Sequence, residues 1–376
     1  MQFIDLKAQY QALQDGIDQR IKQVLEHGKF IMGPEVVELE ERLADFCGVR
    51  NAITCANGTD ALHLAILALG IGPGDAVFTV PFTFFATVEG VMLAGAEPVY
   101  VDVDARTYNM DPKRLEDAIL RVKSEGRLTP RAVIAVDLFG LPADYAAIGA
   151  MCATHGLKLI EDAAQAFGGE IDGRRTCSFA DIAVTSFFPA KPLGCYGDGG
   201  ALFTDDDKTA AILRSLRVHG QGADKYDNVR VGLNSRLDTV QAAVLLEKLA
   251  AFPGEVERRQ SVARRYTAAL SNRLVAPHVP EGYLSVWAQY SVLAADNAQR
   301  TMLMEGLKQA GVPTMIYYSK PLHLQGAMAG LSYSKGDFPV SEDVACRIFS
   351  LPMHPYMSDN NIATVTRRIG ELLASA

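Results

Sequence analysis

The sequence predicts an α/β protein: a large portion built on a mostly parallel sheet, then a smaller α+β portion. Three observations predict it. Short apolar runs alternate with helix-periodic stretches between residues 51 and 204, the pattern of strand–helix crossovers. The chain has 376 residues, too many for one compact core. Its residues are 49% hydrophobic and 21% charged, an ordinary globular balance.

The elements follow in order. Leu13, Ile17, Ile21 and Leu25 recur at fourfold spacing and predict a helix over residues 8–27. Gly28 and Gly33-Pro34 mark a loop, and a second helix runs from Glu35 to about Phe46 behind the proline. Asn51–Cys55 reads as a strand and Gly58–Leu69 as a helix. Ala76–Val80 (strand), Phe84–Leu93 (helix) and Pro98–Val103 (strand) come next. Val133–Val136 is a strand, Asp144–His155 a helix, and Leu157–Glu161 a strand; Ile182–Ser186 and Ala201–Thr204 are two more short strands. Gly70-Ile71-Gly72-Pro73-Gly74 lies between a helix and a strand, the wrong order for a dinucleotide loop, and is a turn. Leu237–Leu270 is helix-rich, with a break or kink expected at Pro253-Gly254. Beyond it, Val286–Val292 and Thr314–Tyr318 read as strands, and Arg300–Ala310 and Asn360–Leu373 as helices. These suggest a large domain over residues 1–250 and a small one over 251–376.

A net charge of −8 argues against a general nucleic-acid binder, though it leaves room for a local basic pocket. The six cysteines are scattered without a C-x-x-C pair, and the seven histidines show no ligand spacing, so neither a disulfide framework nor a metal site is expected. No apolar run approaches membrane-spanning length, and Met1–Lys7 shows no signal-peptide pattern; the expected location is the cytoplasm.

One lysine carries the chemistry. Lys191 stands among small, apolar and hydroxyl residues, in Ser186-Phe187-Phe188-Pro189-Ala190-Lys191-Pro192-Leu193-Gly194-Cys195-Tyr196-Gly197-Asp198-Gly199-Gly200. Desolvation there would keep its amine neutral and nucleophilic, fit for a Schiff base with an aldehyde. Upstream, Glu161-Asp162-Ala163-Ala164-Gln165 ends a strand with a carboxylate. Beside a pyridine nitrogen such a carboxylate favours the protonated, electron-drawing ring; taken alone, Asp162 would as readily cap a following helix. An amine in poor solvent, that carboxylate and a glycine-rich bend are the parts that hold pyridoxal phosphate. In Ala56-Asn57-Gly58-Thr59-Asp60, free amides at a helix start and the Thr59 hydroxyl suit a phosphate, or are a plain helix cap. Ser186 is a further hydroxyl near Lys191. Phe84 could stack on a flat ring or fill the core, and Gln165 could reach ring substituents or face solvent. His323, after Pro321-Leu322 in a stretch read as a polar loop, is a candidate substrate contact. Arg236 could pair a carboxylate or phosphate, or anchor a loop at the surface.

With these residues in view the chain resembles the DegT/StrS-type nucleotide-sugar aminotransferases over nearly its whole length. The carriers are Cys55–Leu62, Glu161–Gln165, Ser186–Gly200 and Gly232-Leu233-Asn234-Ser235-Arg236-Leu237-Asp238. Within that family it looks most like the enzymes acting on a UDP-linked 2-acetamido-3-keto-hexuronic acid for bacterial surface polysaccharide (O-antigen), notably in Ser350-Leu351-Pro352-Met353-His354-Pro355-Tyr356. The resemblance implies a pyridoxal-phosphate transferase of fold type I, with Lys191 bearing the cofactor and Asp162 on its ring nitrogen. Gln165 and Phe84 would flank and stack on the ring, and Gly58, Thr59 and Ser186 would bind the phosphate. It implies a homodimer with shared sites, the segment Arg217–Asn234 crossing over so that Asn234 reaches the neighbour's phosphate, and glutamate as amino donor. Arg236, Tyr317, Tyr318 and His323 fall on the substrate side. Relatives tend to carry histidine where this chain has Tyr317 and proline where it has Ser319, a departure on the sugar side. Relatives that dehydrate sugars replace the lysine that Lys191 represents. The alternatives are an aminotransferase for another nucleotide-linked keto sugar, a dTDP-3-keto or 4-keto-6-deoxy sugar, and a non-catalytic regulatory protein of the same fold.

Overall fold

The computed structural model describes residues 1–224 and 226–375. The chain opens with helix α1 (Leu6–His27), capped by the Asp5 side chain and closed by Gly28 in the left-handed region. Helix α2 (Pro34–Cys47) starts on its proline. Then come β1 (Asn51–Cys55), α3 (Gly58–Ala68), β2 (Asp75–Thr79), α4 (Ala86–Leu93), β3 (Glu97–Tyr100), α5 (Pro112–Glu125), β4 (Thr129–Val136), α6 (Tyr145–His155) and β5 (Lys158–Asp162). The short strands β6 (Glu170–Ile171) and β7 (Arg174–Arg175) precede β8 (Ile182–Ser186), β9 (Gly200–Thr204) and α7 (Asp207–Leu216). Helix α8 (Thr239–Leu270) leads to β10 (Tyr283–Leu284), β11 (Tyr290–Leu293), α9 (Asn297–Gln309), α10 (Pro339–Arg347), β12 (Ile348–Leu351) and α11 (Asp359–Ala374).

The central sheet has seven strands in the order β1-β9-β8-β5-β4-β2-β3. β3, β2, β4, β5 and β8 run parallel, while β9 is antiparallel to both its neighbours. The sheet is therefore mostly parallel and buried on both faces, as uninterrupted apolar strands require. Side chains alternate between the faces. Ile160, Ile182 and Val184 pack with α3 and α7 on one side. Val133, Ala135 and Leu159 pack with α5 and α6 on the other, and Ala183 and Phe203 with α2 and α8. By the same alternation Asp162 and Ser186, two residues beyond Ile160 and Val184, project to the α3 side at the carboxyl ends of parallel strands. That edge is where ligands bind in such sheets.

Two expectations change. Pro253 does not break its helix: α8 is continuous for 32 residues. Packing on either side of the proline outweighs the lost amide bond. Phe252 is fully buried, and the buried Glu255 accepts from Gln9 Nε2 at 3.0 Å and from the Tyr356 hydroxyl at 2.7 Å. Residue 250 lies inside this helix; Leu249 and Phe252 belong to the core under the sheet, Val262 and Tyr266 to the C-terminal core. Thr314–Tyr318 forms no strand, only a bridge from Met315 to Ser350. The C-terminal core instead packs the β11–β12 pair against α9 and α11. Among the described residues no helix is long and apolar enough to cross a membrane, and no cluster of metal-ligating side chains occurs.

Candidate active site

The site forms where β5, β8 and the start of α3 converge. Asp162 is 5% exposed. Its Oδ2 accepts from the Thr87 hydroxyl at 2.9 Å and its Oδ1 from the Ala164 amide at 3.2 Å. Burial pushes its pKa above the ordinary carboxylate value; the Thr87 and Ala164 donors and the Lys191 charge pull the other way. No helix follows Asp162, only turns through Gly168, so the capping alternative falls away.

Lys191 is half-buried on the bend after β8. The bend folds back on itself: Phe187 N donates to Gly199 O at 2.7 Å, Lys191 N to Phe188 O at 2.8 Å and Cys195 N to Phe187 O at 2.8 Å. Desolvation lowers the basicity of the Lys191 amine, and Asp162 is the charge that opposes the shift. The amine and the carboxylate thus face one another electrostatically, and the amine is the more nucleophilic for its surroundings.

At the start of α3 the Asn57 side chain accepts from Asp60 N at 2.7 Å, so Asn57 is the cap. The Gly58 and Thr59 amides, the first of the helix, are left for another acceptor. Gly58 lies against Ser186: a Cβ on it would sit 2.7 Å from the Ser186 Cβ. Only glycine allows the amides and the Ser186 hydroxyl to come this close.

Gln165 is 5% exposed, and its amide is held in one orientation. Its Oε1 accepts from Phe139 N at 2.7 Å, and its Nε2 donates to the Tyr318 hydroxyl at 3.0 Å. Tyr318 packs its ring near Phe82 and Phe84, each with centroids 6.2 Å away. Phe84 is 56% exposed at the mouth of the site, where a flat ligand could cover it. Tyr317 turns the other way, toward Phe3 at 6.3 Å.

A second cleft of about 440 Å³ adjoins α3, lined by Asn57, Asn234, Arg236 and Asp238. Ser235 ties it to the sheet by accepting from Ala56 N at 3.2 Å. Among the described residues the half-buried Arg236 guanidinium has no ion-pair partner. His323 is not brought into the site. Far from lying in a polar loop, it is buried in the turn Leu322–Leu324, its Nε2 3.0 Å from Glu342 and its ring against Phe338.

Residues 11–370 match the DegT/DnrJ/EryC1/StrS aminotransferase family. The chain belongs to this family. It is 50% identical over 368 residues to the UDP-2-acetamido-2-deoxy-3-oxo-D-glucuronate aminotransferase of Pseudomonas aeruginosa, covering 97% of this chain and 98% of that one. A DegT DnrJ EryC1 StrS aminotransferase from Brucella abortus superposes with a TM-score of 0.96 at 51% identity, over 99% of each chain. S. venezuelae DesV, solved in complex with a ketimine intermediate, superposes with a TM-score of 0.94 at 36% identity, over 99% of this chain and 98% of that one.

Pyridoxal phosphate is the cofactor of the family's aminotransferases, and the residues here fit it. The cradle that a Gly58 Cβ would fill has room for a phosphate, the buried Asp162 carboxylate suits a ring nitrogen, and the desolvated Lys191 amine suits an aldehyde. Thr87 and the Phe139 amide were not legible in the sequence. Thr87 stands 75 positions from Asp162, and no local pattern announces a contact of that range.

Proposed function

We propose that this aminotransferase moves an amino group from L-glutamate to C3 of UDP-2-acetamido-2-deoxy-3-keto-glucuronic acid. We place it in the cytoplasm, in the making of bacterial surface polysaccharide, as a homodimer with shared sites. The observation that carries the reading is the desolvated Lys191 amine facing the buried Asp162 carboxylate beside the Gly58–Ser186 cradle. The substrate assignment draws its support from the identity to the Pseudomonas aeruginosa relative and from Arg236, without an ion-pair partner among the described residues, whose fork matches a carboxylate or a diphosphate.

When bound, pyridoxal phosphate supplies an aldehyde that exchanges amino groups and a ring that draws electrons from the reacting carbon. The protein's own groups do the rest. The Gly58 and Thr59 amides and the Ser186 hydroxyl would hold the phosphate, and the exposed Phe84 would pack on the ring. Asp162, kept in place by the Thr87 and Ala164 donors that favour its charged form against burial, would face the ring nitrogen. Lys191 Nζ would hold the cofactor's aldehyde, and as a free amine it would take the proton from the donor carbon and return it one position along. Gln165, fixed by Phe139 and Tyr318, steadies the ring's polar edge.

A panel of UDP- and dTDP-linked keto sugars, each offered with glutamate and read by mass spectrometry, tests the substrate. Conversion of the UDP-3-keto uronate to its amine is expected. Conversion of dTDP-4-keto sugars alone overturns the uronate assignment and leaves the enzyme class standing.

A further inference from the structure

A second lysine is buried near the first, and no step above uses it. Lys248 on α8 is 1% exposed. An ammonium so placed is costly unless something pairs with it. Among the described residues no carboxylate lies within salt-bridge distance of it; Glu255, further along α8, acts on it only at longer range. Its Nζ instead donates to the carbonyl of Gly194 at 2.6 Å and stands 4.1 Å from the centre of the Tyr196 ring. Both partners lie on the bend that bears Lys191.

Seven residues earlier on α8, Gln241 holds the same bend: its Oε1 accepts from Tyr196 N at 2.8 Å. The approach is tight, since a Cβ on Gly197 would lie 3.1 Å from the Gln241 amide nitrogen. Gly194 is folded as closely; its Cβ would sit 2.6 Å from the carbonyl oxygens of Phe188 and Pro189. The bend from Phe187 to Gly199 has no regular secondary structure of its own. Its geometry is set by its internal amide bonds and by these two α8 side chains.

We propose that Lys248 is a positioning residue: its ammonium, through the Gly194 carbonyl and the Tyr196 ring and together with Gln241, fixes the bend that places the Lys191 amine opposite Asp162. The proposal rests on the reading of Lys191 as the residue that bears the cofactor. Burial lowers the Lys248 amine to about 8, with Glu255 and Cys195 resisting, so near neutral pH it still donates as a cation. A cation–carbonyl bond supported by an aromatic face is stronger than its neutral counterpart. Misplacing a reacting group by about 1 Å costs on the order of 100-fold in rate.

The test compares wild-type holoenzyme with Lys248→Met, which keeps the bulk and removes the charge and the donor. In separate samples of both proteins, borohydride fixes the cofactor on Lys191, read by peptide mass. In K248M the melting temperature is expected to be no lower than wild type, because a buried charge has been removed. kcat falls about 10- to 100-fold while KM for donor and acceptor stays within about twofold. Amide exchange speeds up in the peptide spanning residues 187–199. Gln241→Leu cuts the neighbouring tie and leaves the ammonium; it loosens the same peptide and lowers kcat in the same direction. The proposal is overturned by an unchanged kcat in K248M, by unchanged exchange of the bend, or by a loss of kcat that tracks a lowered melting temperature and raised KM. If borohydride leaves no adduct on Lys191 in wild type, the functional reading falls and this proposal with it. An adduct on Lys191 with unchanged kcat in K248M overturns this proposal alone.

Discussion

At the scale of single residues, the proposed chemistry turns on the state of Asp162. Burial alone would favour the neutral acid, and three neighbours hold it toward the charged form: Thr87, Ala164 and Lys191. Thr87→Val removes the hydroxyl and keeps the shape. A hydrogen bond to a buried charged group contributes about 1.5–3 kcal/mol, so kcat should fall roughly 10- to 100-fold with KM for the sugar little changed. Wild-type kcat in T87V would show that the hydroxyl is incidental. The two poles of the site were legible early, because Lys191 and Asp162 each sit in a short, compositionally distinct stretch. Thr87, and the Phe139 amide that orients Gln165, were not. Their roles come from chain segments that only the fold brings together.

At the scale of elements, the ends of β4 and β5 carry a second acidic feature on the face away from Asp162. Glu161 is fully buried and accepts from the amides of Cys177 at 2.5 Å and Phe179 at 2.9 Å. The Asp137 carboxyl lies against it; its Oδ1 accepts from Ala143 N and the Tyr145 hydroxyl, while its Oδ2 is buried without a donor. Burial raises Glu161 from 4.5 to about 7, and Asp137 is raised as well. The folded chain therefore holds a proton that the unfolded chain has released. The stability due to that proton is fully present below pH 4.5 and is lost as pH rises through 7. Asp137→Asn puts a permanent N–H donor where the shared proton sits, and urea unfolding should then lose less stability between pH 4.5 and 7 than wild type does. Equal slopes in the two proteins would contradict the shared proton. The same scale shows where sequence patterns stop. The sheet strands were readable as apolar runs, but α5 was passed over despite Pro112 at its start and Leu115, Ile119 and Val122 at helical spacing. Pro253 signals a break or kink in the sequence because its local penalty is visible, whereas the packing of Phe252 and Glu255 that keeps the helix unbroken is not.

At the scale of the whole molecule, the segment between Arg217 and Asn234 carries, among its described residues, antiparallel bridges at Val218–Asn234 and Gln221–Asn228. Its Val229 and Val231 are 54% and 92% exposed, and Phe30 and Ile31 near its base are 47% and 46% exposed. Apolar side chains left open in this way suit a covered interface, in keeping with the proposed homodimer. Sharing of sites makes a specific prediction. Lys191→Ala and Asn234→Ala should each be inactive alone; dissociated, mixed and reassociated, they should regain up to about a quarter of wild-type activity, because a mixed dimer owns one intact site. No recovery would mean that Asn234 serves its own subunit. The central claim itself is tested most directly by reducing the pyridoxal-phosphate-loaded protein with borohydride and mapping the adduct by peptide mass spectrometry. The account predicts one adduct per chain, on Lys191; an adduct on any other lysine, Lys248 included, or no adduct at all, would contradict it.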